Sequence, residues 1–161
     1  MAKMNRQEKQ SELKQHKDIL FATIDYILQQ VKSENLGNDD YKTVEDYYRQ
    51  QKLKIEKYFQ EGKLTPLRQR LQTLTKTPLN RADLHFNSYI KQKTGYEIDI
   101  FNQLQIRIKE LIKQNKIANK KELNDVAIIL DVYKKKSTES PATDILKKLV
   151  MDYATKAKGS K

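Results

Sequence analysis

Two residues of this chain have the types and spacing of a metal-binding pair. Glu12 and His16 are four positions apart, so on a helix both side chains lie on one face. A di-metal site in a helical bundle needs further inward carboxylates and usually a second Glu-x-x-His unit, and nothing elsewhere in the sequence completes the set. His16 also lies between Leu13 and Leu20 at helical spacing, which places it at the edge of an apolar stripe. We therefore expect no metal site and no cofactor.

The other candidate acid–base residues are isolated. His85 is flanked by Asp83 and Asn87, which do not share its helical face and cannot orient it as a base. Asp25 and Asp99 lie between apolar residues, where a raised carboxyl pKa would suit a general acid. The alternative, which we favour, is a carboxylate at the rim of the apolar stripe that pairs with a lysine. No serine or threonine has a base at a recognisable spacing, and no glycine-rich phosphate-binding motif occurs. The sequence predicts a non-enzymatic protein.

Residues 62–82 form a basic segment without a single acidic residue. Two short predicted helices, joined across residues 75–79, resemble a helix-turn-helix in outline. The second of these helices would present Arg81, His85, Ser88 and Lys91, although the connection contains proline and lacks the usual glycine. Residues 113–121 form a second basic junction, whose lysines have the simpler interpretation of solvated charges beside helix ends. The candidate nucleic-acid contacts are the five cations of the first segment: Lys63, Arg68, Arg70, Lys76 and Arg81.

Tyrosines provide the alternative, a protein-binding surface. The chain contains nine tyrosines, and tyrosine is enriched at protein interfaces because it is large, rigid and amphipathic. The cluster within the second predicted helix occupies more than one face, so its members cannot all point inward. The simpler interpretation is that their hydroxyl groups reach water at the edge of the core. The candidate protein-interaction residues are Tyr41, Tyr47 and Tyr58.

Helices must position all these residues. The chain has only four glycines and three prolines, and its apolar residues recur every three or four positions. This pattern predicts an all-α fold, a single irregular bundle of about seven helices with short connections. The predicted helices cover about 5–32, 39 or 43 to 60, 65–76, 80–93, 94–115, 119–136 and 141–155.

Turn and capping residues set the predicted boundaries. Residues 35–38 end the first helix and Gly62 ends the second. The predicted N-terminal signals are Asp39 or Thr43, Thr65 followed by Pro66, the pairs Asn80–Asp83, Thr94–Glu97 and Asn119–Glu122, and Ser140–Pro141. Thr77–Pro78 is predicted to end the third helix. Lys134–Lys136 is predicted to mark the C-terminal end of the sixth helix, where lysines interact favourably with the helix dipole.

Length and composition predict one domain over residues 1–158. Residues 1–12 are expected to project or fray, and residues 156–161 to form a disordered basic tail. The longest apolar run, Val126–Leu130, has five residues, too few to cross a membrane. The start of the chain lacks the apolar region of a secretory signal, and no lipid-anchor motif occurs. We expect a cytoplasmic protein without membrane contact.

The net charge of +11 arises from 32 lysines and arginines against 21 aspartates and glutamates, and it favours acidic partners. Only six of these cations are arginine, the residue suited to planar, bidentate recognition. The leading expectation is therefore a non-enzymatic helical interaction or adaptor protein with a protein partner, and a homo-oligomer stays open. The alternative is a nucleic-acid-binding accessory protein that makes mainly phosphate contacts through residues 62–82.

Overall fold

The computed structural model describes residues 5–34, 37–138 and 140–159, and within these ranges it contains helices and no strand. The all-α class with about seven helices is confirmed, since one of the eight helical segments is a single turn. The helices are α1 Arg6–Ser33, α2 Asn38–Gln60, α3 Leu64–Leu74, α4 Lys76–Asn80, α5 His85–Thr94, α6 Asn102–Gln114, α7 Lys120–Lys135 and α8 Pro141–Gly159.

The first of two compact units consists of the described residues up to Lys76 together with His85–Ile98. In this unit α1 is the central helix, because it packs against α2, α3 and α5. The ring of Tyr26 on α1 also meets Phe86 on α5 edge to face, with centroids 5.4 Å apart. The main buried cluster of unit 1 comprises Leu13, Leu20, Ile24, Ile55 and Leu67.

The second unit consists of Thr77–Leu84 and the described residues from Asp99 onward. Here α6, α7 and α8 pack against one another. The Lys135 ammonium at the end of α7 donates hydrogen bonds to the backbone oxygens of Arg81, at 2.7 Å, and Ala82, at 3.2 Å. Ala82 is fully buried and has a φ of +50°. The core of unit 2 comprises Ala82, Phe101, Leu104, Ile108, Leu111, Ile117, Val126, Ile128, Ile129, Val132, Leu146 and Leu149.

The single-domain expectation for residues 1–158 stays a prediction, because two groups of contacts can still unfold as one cooperative unit. The predicted start of the first helix at about residue 5 is confirmed, because Asn5 begins α1 with a capping box to Glu8 and residues 6–12 are helical. Residues 5–11 are exposed, and that this end of the chain projects or frays stays a prediction. At the other end α8 continues to Gly159, so residues 156–159 are helical rather than disordered. Residues 1–4, 35–36 and 160–161 of these predictions lie outside the described residues.

Two predicted caps near the start of the chain are wrong. Neither Asp39 nor Thr43 caps α2, which begins one residue after Gly37; the Thr43 hydroxyl instead donates to the backbone oxygen of Asp39. Helix α3 begins at Leu64 rather than after Thr65, so Pro66 is its third residue. Proline is tolerated there because the first-turn N–H groups have no partner within the helix.

The predicted boundaries between the third and sixth helices are also wrong. Residues 76–80, including Thr77 and Pro78, form α4 rather than a closing turn, and α5 begins at His85 instead of Asn80. Thr94 ends α5, where its hydroxyl donates to the Ile90 oxygen. With Gly95 following at a φ of +81°, the chain turns and α6 begins only at Asn102.

Three further predicted boundaries are confirmed. Gly62 ends α2 with a φ of +69°, a conformation that favours glycine. The Asn119 Oδ1 atom accepts a hydrogen bond of 2.9 Å from the Glu122 backbone N–H at the start of α7. Pro141 is the first residue of α8, where its missing N–H costs no hydrogen bond.

Candidate functional site

The basic segment 62–82 is free of acidic residues in sequence but not in space. The Lys63 ammonium lies 2.8 Å from Glu61 Oε2, and this hydrogen bond raises the pKa of Lys63 and lowers the pKa of Glu61. The Arg68 guanidinium contacts the Glu12 carboxylate through Nη2 and, at 3.0 Å, through Nε. Two of the five candidate phosphate contacts are therefore already neutralised by carboxylates.

The structure divides the other three candidates between the units. Arg70 is half-buried and Lys76 exposed, and both belong to unit 1, where neither has a salt bridge to another described residue. Arg81 belongs to unit 2 and precedes α5. The expectation that one helix presents Arg81 together with His85 and Lys91 is therefore wrong. Lys91 is paired with Glu97.

Glu12 and His16 on α1, which were considered above as a metal-binding pair, make other contacts. The Glu12 carboxylate binds Arg68, and His16 Nδ1 lies 2.9 Å from the backbone oxygen of Glu12. Across the described ranges, no group of three or more metal-ligating side chains occurs.

The two aspartates considered as general acids have structural contacts. Asp25 Oδ1 lies 2.7 Å from the Lys52 ammonium, which confirms the expected pairing with a lysine. Asp99 Oδ1 accepts a hydrogen bond of 2.9 Å from the Phe101 backbone N–H just before α6. This contact fixes the turn that leads into the helix.

The candidate tyrosines differ in exposure. Tyr47 is 56% exposed, and its ring meets Tyr48 edge to face with centroids 5.1 Å apart. Tyr41 is half-buried, and Tyr58 packs against the buried cluster of unit 1. Of the three tyrosines proposed for an interface, the structure leaves Tyr47 as the one with a largely exposed ring.

Unpaired lysines are the main charged feature of unit 2. In unit 1, ion pairs join α1 to its neighbours, as in Lys17–Glu56 and Arg68–Glu12. Among the described residues of unit 2, exposed lysines without a salt bridge outnumber the paired cations. They are Lys109, Lys116, Lys120, Lys121, Lys134, Lys136, Lys147, Lys148 and Lys156.

Two of these lysines line a groove between the end of α7 and the start of α8. This α7–α8 groove has a volume of about 1020 Å³ and opens to solvent. Its polar lining includes Lys134, Ser137 and Thr138 from the end of α7 and the following turn, and Thr143 and Lys147 from α8. Lys116 and Lys156 line a separate hollow of about 270 Å³ between the end of α6 and α8.

Sequence reasoning missed the α7–α8 groove because it treated Lys134–Lys136 only as the end of a helix. A signal for the groove was present. The short, hydroxyl-rich connection between the last two helices is typical of antiparallel neighbours, and such a connection brings Lys134 close to the first turns of the next helix. On this basis Lys134 and Lys147 could have been assigned to one groove.

Comparison of the chain with protein-family models, curated proteins and solved structures finds no match. Within the described part of the chain, none of the helices combines the length and the apolar character needed to cross a membrane.

Proposed function

We propose that this protein is a non-enzymatic helical binding protein that holds nucleic acid through phosphate contacts. The observation that carries the proposal is the set of exposed lysines in unit 2 that have no carboxylate partner among the described residues. Phosphate groups are the natural partners of such lysines, because each lysine is a flexible point charge that neutralises a phosphate without reading a base.

The lysine-rich composition also predicts weak sequence preference. Bidentate recognition of guanine usually requires arginine, and only six of the 32 cations are arginine. We therefore expect similar affinities for oligonucleotides of different sequence, with a strong dependence on salt because bound lysines release counterions.

Fluorescence anisotropy with labelled duplex DNA, single-stranded DNA and RNA tests the proposal. Measurements at about 50 and 200 mM salt bracket the range in which phosphate contacts weaken steeply. We expect micromolar or tighter binding at the lower salt. Each lysine-to-glutamine change at a phosphate contact should reduce the slope of log K against log salt by about one. No binding of any of the three at the lower salt would contradict the proposal.

Two charge-reversal variants locate the interface. Lys134→Glu with Lys147→Glu alters the α7–α8 groove, whereas Arg70→Glu with Lys76→Glu alters the unpaired cations of the basic segment 62–82. Both variants change the net charge by the same amount, so a general charge effect lowers affinity equally. We expect the larger loss for the groove variant. A larger loss for the second variant would assign the interface to residues 62–82 instead.

A second candidate function is that of a protein-binding adaptor, and the exposure of Tyr47 favours it. A tyrosine ring held against its neighbour loses little side-chain entropy on binding, which suits it to an interface. A partner that is captured by the wild-type protein and lost with Tyr47→Ala would support this function. The control is Lys54→Ala, an exposed change on the same helix. If Tyr47→Ala leaves capture and self-association unchanged, this tyrosine is not the contact.

A further inference from the structure

The α7–α8 groove is lined by Thr143, whose buried hydroxyl group lacks a hydrogen-bond partner among the described residues. Thr143, the third residue of α8, lines the groove and is only 8% exposed. Within the part of the chain that the structure describes, its Oγ1 atom has no hydrogen-bond partner, although buried polar groups in folded proteins almost always have one. Because this atom has almost no accessible surface, a ligand with an acceptor oxygen would supply the missing partner once the Thr143 side chain turns its hydroxyl toward the groove.

The charges around Thr143 favour an anion. Lys134 and Lys147 line the groove, and neither has a salt bridge to another described residue. The first turn of the 19-residue helix α8 adds the positive end of its dipole, which the exposed Asp144 of the same turn partly offsets. Asp131 also lines the groove, but its carboxylate lies 3.3 Å from the Lys135 ammonium and is therefore neutralised.

A phosphate monoester matches this set of groups better than an internal phosphodiester. A monoester carries about −1.5 to −2 charges at neutral pH and has three acceptor oxygens. The groove provides two ammonium groups and the hydroxyl groups of Thr143 and Ser137, whereas the Thr138 hydroxyl already donates to the Lys136 backbone oxygen at 3.4 Å. An internal phosphodiester carries one charge and has only two free oxygens, so it would leave some of these donors unused.

We propose that the α7–α8 groove binds the terminal phosphate of a nucleic-acid strand. This inference rests on the proposed function, because it assumes that the strand is held by the lysines of unit 2. The volume of about 1020 Å³ is sufficient for a terminal nucleotide together with its phosphate, since ligand pockets of about 300–1,000 Å³ hold small molecules.

The test compares oligonucleotides of one sequence that carry a 5′-phosphate, a 3′-phosphate or only terminal hydroxyl groups, each labelled at the opposite end or internally. We expect the oligonucleotide with the preferred terminal phosphate to bind about tenfold more tightly than the hydroxyl form, as expected for charge-assisted hydrogen bonds. The two phosphorylated forms show which end of the strand the groove accepts.

Thr143→Val should remove most of this preference while the affinity for the hydroxyl form changes little. Lys147→Gln should also remove most of the preference, and it should weaken binding of the hydroxyl form as well, because Lys147 belongs to the proposed interface. The matched control for the charge is Lys148→Gln, which removes an exposed, unpaired lysine of the same helix that does not line the groove. The control for the hydroxyl is Thr155→Val, whose hydroxyl already donates to the Met151 oxygen. Circular dichroism establishes that each variant is folded.

The outcomes separate this inference from the proposed function. Equal binding of phosphorylated and hydroxyl forms would overturn the terminal-phosphate site while nucleic-acid binding stands. The inference is likewise overturned if Thr143→Val keeps the full preference. If none of the oligonucleotides binds at low salt, both the proposed function and the groove inference fail.

Discussion

At the scale of single residues, many charges of this basic protein are used inside unit 1. Lys17 Nζ lies 4.4 Å from the centroid of the Phe59 ring and 2.5 Å from Glu56 Oε2. Lys52, also between α1 and α2, is paired with Asp25. A lysine that already contacts both an aromatic face and a carboxylate gains little by binding the phosphate or carboxylate of a partner. The net charge of +11 therefore overstates the charge available for binding.

Replacing Lys17 should destabilise unit 1 measurably. Lys17→Gln removes a cation–π contact worth about 0.5–1 kcal/mol and a partly exposed salt bridge worth about 0.2–1 kcal/mol. We expect the free energy of unfolding in urea to fall by about 1 kcal/mol. The control is Lys14→Gln, because Lys14 is paired with Asp18 but its side chain is 67% exposed. Equal effects of the two changes would show that the aromatic contacts of Lys17 add nothing.

Tyr48 should make stability depend on alkaline pH. Burial, with a smaller contribution from the neighbouring Tyr47, raises the pKa of the Tyr48 hydroxyl above 10.0. The folded protein therefore holds this proton at pH values where the unfolded chain has lost it. The resulting stability is fully present below about pH 10 and is lost as the pH rises through the folded-state pKa. In urea unfolding between about pH 9 and 11, Tyr48→Phe should show a smaller decline than the wild-type protein.

The control for this pH effect is Tyr41→Phe, which removes a hydroxyl group from the same helix. If Tyr48→Phe and the wild-type protein decline in parallel, Tyr48 does not cause the alkaline loss of stability.

At the scale of helices, the sequence predicted the number and type of elements better than their boundaries. Apolar spacing over several turns is a strong signal, whereas a cap depends on a few atoms. Thr94 shows the difference: followed by Glu97, it resembles a capping box, yet its hydroxyl bonds back to the Ile90 oxygen and ends the preceding helix. Glycine at position 95 was the informative residue, because it permits the left-handed turn between the helices.

Gly95→Ala should destabilise the protein at this turn. A Cβ atom at residue 95 meets no heavy atom within 4 Å, so the cost comes from the φ of +81° rather than from a clash. The left-handed conformation costs a residue with a Cβ atom about 1–2 kcal/mol. We expect the free energy of unfolding, measured by heat or urea, to fall by this amount.

The matched control for Gly95→Ala is Asn115→Gly, because Asn115 ends α6 in the same left-handed region with a φ of +58°. Glycine relieves strain there, so stability should be kept or raised. Destabilisation by Asn115→Gly that equals that of Gly95→Ala would rule out the conformational explanation.

At the scale of the whole molecule, the chain alternates between its two units. Residues 77–84 belong to unit 2, the following residues 85–98 return to unit 1, and unit 2 resumes at Asp99. Neither unit is therefore a continuous piece of sequence. The sequence could not predict this division, because apolar periodicity shows which face of a helix is buried and not which helix covers it.

The α7–α8 groove could not be predicted from the sequence either, because apolar periodicity does not show which helices pack together. The segment 62–82 was selected because it lacks acidic residues, but folding brings Glu12 to Arg68 from 56 positions away. Lys134 and Lys147 drew no attention because each stands in an ordinary position at the end or near the start of a helix. Their significance depends on the packing of α7 against α8.

The single-domain prediction implies that the two units unfold together. Leu20→Ala in unit 1 and Ile129→Ala in unit 2 each remove a fully buried side chain, at a cost of about 2–5 kcal/mol. If the chain is one cooperative domain, either change should lower the amide hydrogen-exchange protection of both cores. Loss of protection confined to the altered unit would show that the two units unfold independently.

The bonds from Lys135 to the backbone oxygens of Arg81 and Ala82 have a consequence for synthesis of the chain on the ribosome. The residues joined by the first bond are 54 positions apart, and ribosomes add about 5–20 residues per second. The segment that contains Ala82 must therefore wait about 3–11 seconds before its partner is made. Throughout that interval the turn at Ala82 has to persist without Lys135 or form again afterwards. The contacts of unit 2 are therefore completed only late in the synthesis of the chain.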